Sequence, residues 1–175
     1  MRLFSLKLNK IGLFYGSSSG KTEETALNIF RYLGKDYVEL YDVGLAVPED
    51  LLKYDRLILG IPTWDIGRMQ KDWEEYILKM PNADLSGKII ALFGLGDQES
   101  YPDTFADAMG LLYDRIVMTH GLVVGTWPAK GYHFKESFAY RRNQFVGLVL
   151  DEDNQAELSD LRIQSWLKKI MPEMR

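Results

Sequence analysis

Five apolar runs, separated by stretches of helical periodicity, constrain the fold more than anything else in these 175 residues. The runs are Ile11–Phe14, Tyr37–Tyr41, Arg56–Ile61, Lys88–Gly94 and Leu122–Gly125. Helical stretches follow them from Glu23 to Leu33, Pro48 to Leu52, about Met69 to Met80, about Pro102 to Thr119, and Leu158 to Ile170. In the first, Ala26, Leu27, Phe30 and Leu33 recur at helical spacing and Gly34 supplies the stop. Proline opens the second, where its missing N–H costs nothing, and Pro62 reads as the end of the third strand. In the last, Leu158, Leu161, Trp166, Leu167 and Ile170 fall mostly on one side, a pattern of core packing. Strands that are apolar throughout and alternate with helices indicate an α/β fold with a parallel sheet covered on both faces. The length suits one domain over residues 1–175. Ligands of such sheets bind beyond the carboxyl ends of the strands, where strand order reverses.

The loops at those ends are unusual. After the first strand comes Tyr15-Gly16-Ser17-Ser18-Ser19-Gly20-Lys21-Thr22, then a helix. Strand, hydroxyl-rich loop and helix aim free backbone N–H groups and a helix dipole at one point, which makes an anion site with phosphate the usual occupant. Hydrogen bonds to a charged group contribute roughly 1.5–3 kcal/mol each, so several would outweigh the exposed charge of Lys21. Two other readings stay open: a capped turn that binds nothing, and a nucleoside-triphosphate loop. The latter fails on spacing, because three residues separate Gly16 from Gly20 where four are required.

The third-strand loop, Pro62-Thr63-Trp64-Asp65-Ile66-Gly67, places a Trp directly after the strand end, either to cover an aromatic ligand or to fold over the core. The fourth-strand loop, Gly94-Leu95-Gly96-Asp97-Gln98-Glu99-Ser100-Tyr101, allows close backbone approach at its glycines and offers a second aromatic plane. Together the loops describe a site for a flat phosphorylated ring.

Composition narrows the function further. A net charge of -4 and a pI near 5.3 argue against a nucleic-acid surface and allow a basic protein partner. Cysteine is absent, which excludes disulfides, thiolate metal sites and iron–sulfur ligation. His120 and His133 are too few for a histidine metal cluster and are expected at the surface. The first ten residues are interrupted by Lys7 and Lys10 and carry no export signal, and no apolar run approaches membrane-spanning length. A cytoplasmic protein without membrane contact is expected.

GSSSGKT at 16–22, GIPTWDIGRMQKDWEEY at 60–76, ALFGLGDQESYPDTFADAMG at 91–110, FVGLVLDEDNQ at 145–155 and LSDLRIQSW at 158–166 together resemble the long-chain flavodoxin family. Trp127-Pro128 ahead of Gly131-Tyr132 leans toward its second-flavodoxin group in gammaproteobacteria. The resemblance implies a flavodoxin-like three-layer αβα sandwich with a five-stranded parallel sheet. Its order 2-1-3-4-5 is inherited from the family, not read from the residues. It further implies that residues from about 126 to 145 form an insertion splitting the fifth strand.

By the same resemblance Ser17, Ser18, Ser19, Gly20, Lys21 and Thr22 hold the phosphate of FMN. Trp64 and Tyr101 flank the isoalloxazine ring, and Leu95, Gly96 and Asp97 meet its pyrimidine edge. Pro62, Thr63, Asp65, Ile66, Gly67 and Thr104 complete the cofactor-binding set, with no catalytic residue and no metal. The Asp65–Ile66 peptide is the one that flips in the family, so that its carbonyl accepts the proton gained at flavin N5.

The implied function is a low-potential one-electron carrier with noncovalent FMN. It shuttles electrons from a basic reductase, of the NADPH-dependent flavodoxin reductase type, to redox acceptor proteins through transient contacts, as a monomer. Asp65, Asp72, Glu74, Glu75, Glu99 and Asp103 make the ring end acidic, with Arg68 and Lys71 interspersed. Ser19 replaces a usual Thr and Ser100 a usual Gly, while Arg68 and Glu99 stand where relatives often have an acidic and an apolar residue. The alternatives are a P-loop phosphotransferase and a flavin quinone reductase on the same fold.

Overall fold

The structure, a computed structural model, describes residues 10–80 and 83–175. Residues 1–9, on which most of the expectation about an export signal rests, lie outside the described residues. No helix among the described residues is long and apolar enough to cross a membrane.

Strand side chains alternate between two cores, because successive residues point to opposite faces of a sheet. In β1 (Ile11–Tyr15), Leu13 joins one core and Phe14 the other. In β3 (Arg56–Trp64), Leu57, Leu59 and Ile61 face one side and Ile58 the opposite one. In β5 (Ile89–Leu95), Ile90 and Leu92 part from Ala91 and Phe93 in the same way. One core is closed by α1 (Lys21–Leu33) and α5 (Ala156–Met174) through Ala26, Ile29, Ile163, Trp166 and Ile170. The other is closed by α2 (Pro48–Leu52), α3 (Lys71–Leu78) and α4 (Asp107–Met118) through Leu51, Trp73, Tyr76, Met109 and Leu112. Three layers result.

The parallel strands run β2–β1–β3–β5–β6, with β2 spanning Val38–Asp42 and β6 Leu122–Val124. β9 (Leu148–Leu150) also pairs with β5, carrying on where β6 stops: β6 lies beside Ile89–Ala91 and β9 beside Phe93–Leu95. The fifth strand is thus two halves end to end, and the chain between them leaves the sheet. That insertion holds a hairpin, β7 (Tyr140–Arg141) and β8 (Gln144–Phe145), turned by Arg142 and Asn143 at φ 52° and 67°. It packs directly on α4, where a Cβ on Gly110 would lie 2.4 Å from the backbone of Phe138.

Several boundaries differ from the sequence reading. Pro62 does not stop the third strand, which continues to Trp64. The Gly60 carbonyl faces β1, accepting the Gly16 N–H at 3.2 Å, and residues two apart face the same way. Pro62 therefore points to the side that β1, ending opposite Gly60, has vacated, and no ladder bond is lost.

Arg68–Met69 is not helical. It forms β4, which turns back antiparallel against Thr63–Trp64, and Gln70 then caps α3 by accepting the Trp73 N–H. The helix expected from about Pro102 starts at Asp107 instead. Backbone groups of residues 102–105 bond the insertion: the Pro102 carbonyl accepts from Lys135 and Glu136, and the Phe105 N–H donates to Glu136. In α5 the buried stripe runs through Ile163, Trp166, Leu167 and Ile170, and Leu161 is exposed.

Candidate functional site

The loops after β1, β3, β5 and β9 open onto one cleft of about 320 Å³ at the carboxyl end of the sheet. Of the residues expected to bind, Ser19, Lys21 and Thr22 line one end of it. Pro62, Thr63, Trp64 and Asp65 line one wall, and Leu95, Gly96, Asp97, Tyr101 and Thr104 the facing parts. Ser17, Ser18, Gly20, Ile66 and Gly67 are not among the lining residues.

Four of those five have local work. The Ser17 hydroxyl accepts the Gly20 N–H at 3.0 Å and closes the loop. Ser18 Oγ accepts from the Gln70 amide at 3.1 Å, tying the loop to the start of α3. Gly20 takes φ 91° at the N-cap of α1, a conformation that favours glycine, and no side chain caps the helix. The first-turn amides of α1 therefore have no side-chain acceptor, and the positive end of the dipole points at the cleft beside Ser19 and Thr22. Gly67 takes φ 79° and packs on Thr104 and Asp107, while Ile66 is exposed to solvent.

The walls of the cleft are set by α4 and its approach. Thr63 Oγ1 accepts the Ala108 N–H at 3.2 Å, pinning the end of β3 to the first turn of α4. Asp107 lies beneath Gly67, with its carboxylate accepting the Phe138 N–H at 2.8 Å. Burial raises the Asp107 carboxyl above the usual range, partly opposed by that bond. Trp64 and Tyr101 keep 38% and 44% of their surface exposed, so neither ring is folded into the core. Phe105 lines the same cleft but is fully buried.

The fourth-strand loop is organised by Asp97. Its Oδ1 accepts the N–H groups of Glu99 and Ser100 and the Asn154 amide, at 2.9–3.1 Å. Burial works against its charge, yet the Ser100, Asn154 and Glu99 donors outweigh it and hold the carboxyl below the usual range. Ser100 is not among the residues with positive φ, so a side chain in place of glycine is accommodated without backbone strain. The Gly96 N–H is taken by the Leu150 carbonyl at 3.1 Å.

Phe105, Ala106, Glu152 and Asp153 complete the lining and were not among the residues singled out from sequence. Glu152 and Asp153 follow the carboxyl end of β9, the position from which a parallel sheet presents ligand-binding loops. The apolar runs give only Leu122–Gly125 as the fifth strand; the resemblance implies its split and includes Glu152 and Asp153 in FVGLVLDEDNQ, but assigns neither a role. Lys21 does not point free into the cleft: its ammonium lies 2.5 Å from Asp153 Oδ1. No group of three or more His, Cys, Asp or Glu among the described residues is placed to hold a metal ion. A helix end with spare donors, two half-exposed aromatic rings and a polar loop edge fit a flat phosphorylated ring.

Known proteins resemble this chain in sequence and in fold. The flavodoxin family model matches residues 13–166. A flavodoxin of Nostoc sp. is 48% identical over 164 residues, covering 94% of this chain and 96% of the relative. Flavodoxin 1 of Escherichia coli is 44% identical over 164 residues, 93% of each chain. The crystal structure of Fusobacterium nucleatum flavodoxin bound to flavin mononucleotide superposes with a TM-score of 0.87 at 32% identity, covering 95% of this chain and 99% of that one. Matched over nearly its whole length in sequence and in fold, the chain belongs to the flavodoxin family.

Proposed function

We propose that this chain carries single electrons at low potential on FMN held noncovalently in the cleft. As a flavodoxin it is an FMN-binding electron-transfer protein and not an enzyme, and it works with redox partners. The observation that carries the reading is that the uncapped end of α1 and the half-exposed rings of Trp64 and Tyr101 open onto one cleft. When bound, FMN supplies the redox chemistry, accepting one electron at a time. The chain's residues do the rest. The amides at the start of α1, with Ser19 and Thr22, hold the phosphate, and Trp64 and Tyr101 cover the ring and exclude water.

Asp65, Asp97 and the nearby rim carboxylates disfavour additional negative charge on the ring, and limited solvent access strengthens that effect. For one electron about 59 mV corresponds to ~1.4 kcal/mol, so modest destabilisation makes a strongly reducing carrier. The acidic rim suits a basic reductase of the NADPH-dependent flavodoxin reductase type and transient docking of acceptors, with the chain a cytoplasmic monomer.

Asp65 has φ 45°, a left-handed conformation that costs most L-residues roughly 1–2 kcal/mol. Glycine enters this region freely, and in the flipped peptide, whose turn requires φ > 0 at residue 65, the Asp65 carbonyl would accept a hydrogen from the reduced flavin. Asp65→Gly is therefore expected to raise the first one-electron potential, by about 40 mV for each kcal/mol of strain relieved. A redox titration with no rise counts against this role.

Flavin-free protein titrated with FMN tests the reading as a whole. One-to-one uptake, a yellow product and quenched flavin fluorescence are expected, and Lys21→Ala retains uptake. Failure to take up FMN, or binding of a nucleoside triphosphate in its place, overturns it.

A further inference from the structure

We propose that Asp153 sets how strongly the cleft prefers a phosphorylated over an unphosphorylated flavin, by holding the one cation of the site away from the phosphate. This rests on the FMN reading of the cleft. Among the described residues lining it, Lys21 is the single cation, against the carboxylates of Asp65, Asp97, Glu152 and Asp153. Lys21 opens α1, where the phosphate-binding amides lie, and so stands at the phosphate end. Its ammonium is engaged by Asp153, 132 positions away in sequence, at 2.5 Å.

The pair is built, yet open to exchange. Asp153 is presented by a turn whose backbone N–H is held by Asp151 Oδ1 at 3.2 Å, and Asp151 is fully buried. Glu152 lines the same end, its carboxyl bonded by the Ser159 hydroxyl and raised by burial. Glu24 of α1 adds a further negative charge close to Glu152. Both side chains of the Lys21–Asp153 pair are 45% exposed, so water and a competing anion reach it. Exposed pairs of this kind are weak, and an arriving phosphate dianion competes directly for the ammonium. Asp153 thereby limits how much Lys21 adds to phosphate affinity and leaves the ring contacts untouched.

The two partners of one ion pair then act in opposite directions on cofactor binding. A latch that only stiffened the fold would move both variants the same way. The test compares dissociation constants of FMN and riboflavin for the flavin-free protein, read by fluorescence quenching at low salt. Asp153→Asn is expected to tighten FMN about three- to tenfold and leave riboflavin unchanged, whereas Lys21→Ala weakens FMN by a similar factor. In the Lys21→Ala background the gain from Asp153→Asn falls below about twofold, and in 0.5 M salt it disappears.

Asp153→Ser, with a thermal melt of each variant, guards against misfolding of any one substitution. FMN binding that is unchanged or weaker in both Asp153 variants overturns the role of Asp153 alone. The same holds for an equal gain with and without Lys21. Uptake of neither flavin by the unaltered chain overturns this proposal together with the reading on which it rests.

Discussion

Asp151→Ala is expected to destabilise the flavin-free protein by about 3–5 kcal/mol, measured by chemical denaturation. Asp151 is fully buried, and its carboxylate accepts from two parts of the chain, Gln98 and the turn at Asp153–Asn154. Oδ2 accepts the Gln98 N–H at 3.1 Å, the Gln98 side-chain amide at 2.7 Å and the Asn154 amide at 2.9 Å. Oδ1 accepts the backbone N–H groups of Asp153 and Asn154 at 3.2 and 3.0 Å. Gln98 in turn accepts the His133 N–H at 2.5 Å, so the carboxylate joins the fourth-strand loop, the insertion and the turn after β9. Truncation strands several buried donors at once, and each such group left unpaired costs about 1–3 kcal/mol. Because Asn154 also holds Asp97, the wall of the cleft is expected to loosen and riboflavin affinity to fall with stability. A loss under about 1 kcal/mol would show that water replaces the carboxylate, which its burial opposes.

Trp64→Ala and Tyr101→Ala are expected to do the reverse: each leaves stability nearly unchanged and weakens FMN by about 10- to 100-fold. Stacking of a flat heteroaromatic on an aromatic side chain contributes about 1–3 kcal/mol, and each 1.4 kcal/mol is tenfold in affinity. Both rings already meet solvent, so little packing is lost when they are removed. Phe105→Ala is the contrasting control. Phe105 lines the same cleft but is fully buried against Tyr132, Phe134 and Phe145, and its loss is a stability loss of about 3–5 kcal/mol. Unchanged FMN affinity in both the Trp64 and Tyr101 variants would remove the rings from the binding role.

The misplaced boundaries share one cause. Pro62 reads as a stop, and Met69 and Pro102 read as helix starts, because local propensity favours each. Every one was decided by a partner distant in sequence. β1 ends early enough to leave Pro62 unopposed, Trp64 pairs back on Arg68, and the insertion takes the Pro102 carbonyl. Glu152 and Asp153 lack a role in the run-by-run reading for the same reason: the resemblance implies the split of the fifth strand, but only the folded sheet shows that the turn after its second half opens onto the cleft.

The chain by itself determined the alternation of buried strands and helices, the hydroxyl-rich turn after the first strand, and the aromatic residues after the third and fourth. Those features follow from side-chain burial and backbone freedom over a few neighbouring residues. Only the tertiary structure decided that Lys21 answers to Asp153, that Ser17 and Ser18 brace the loop, and that a buried carboxylate at Asp151 ties the insertion to the cleft. Hydrogen bonds and ion pairs act over a few ångströms in space whatever the separation along the chain, and only the folded sheet brings their partners together.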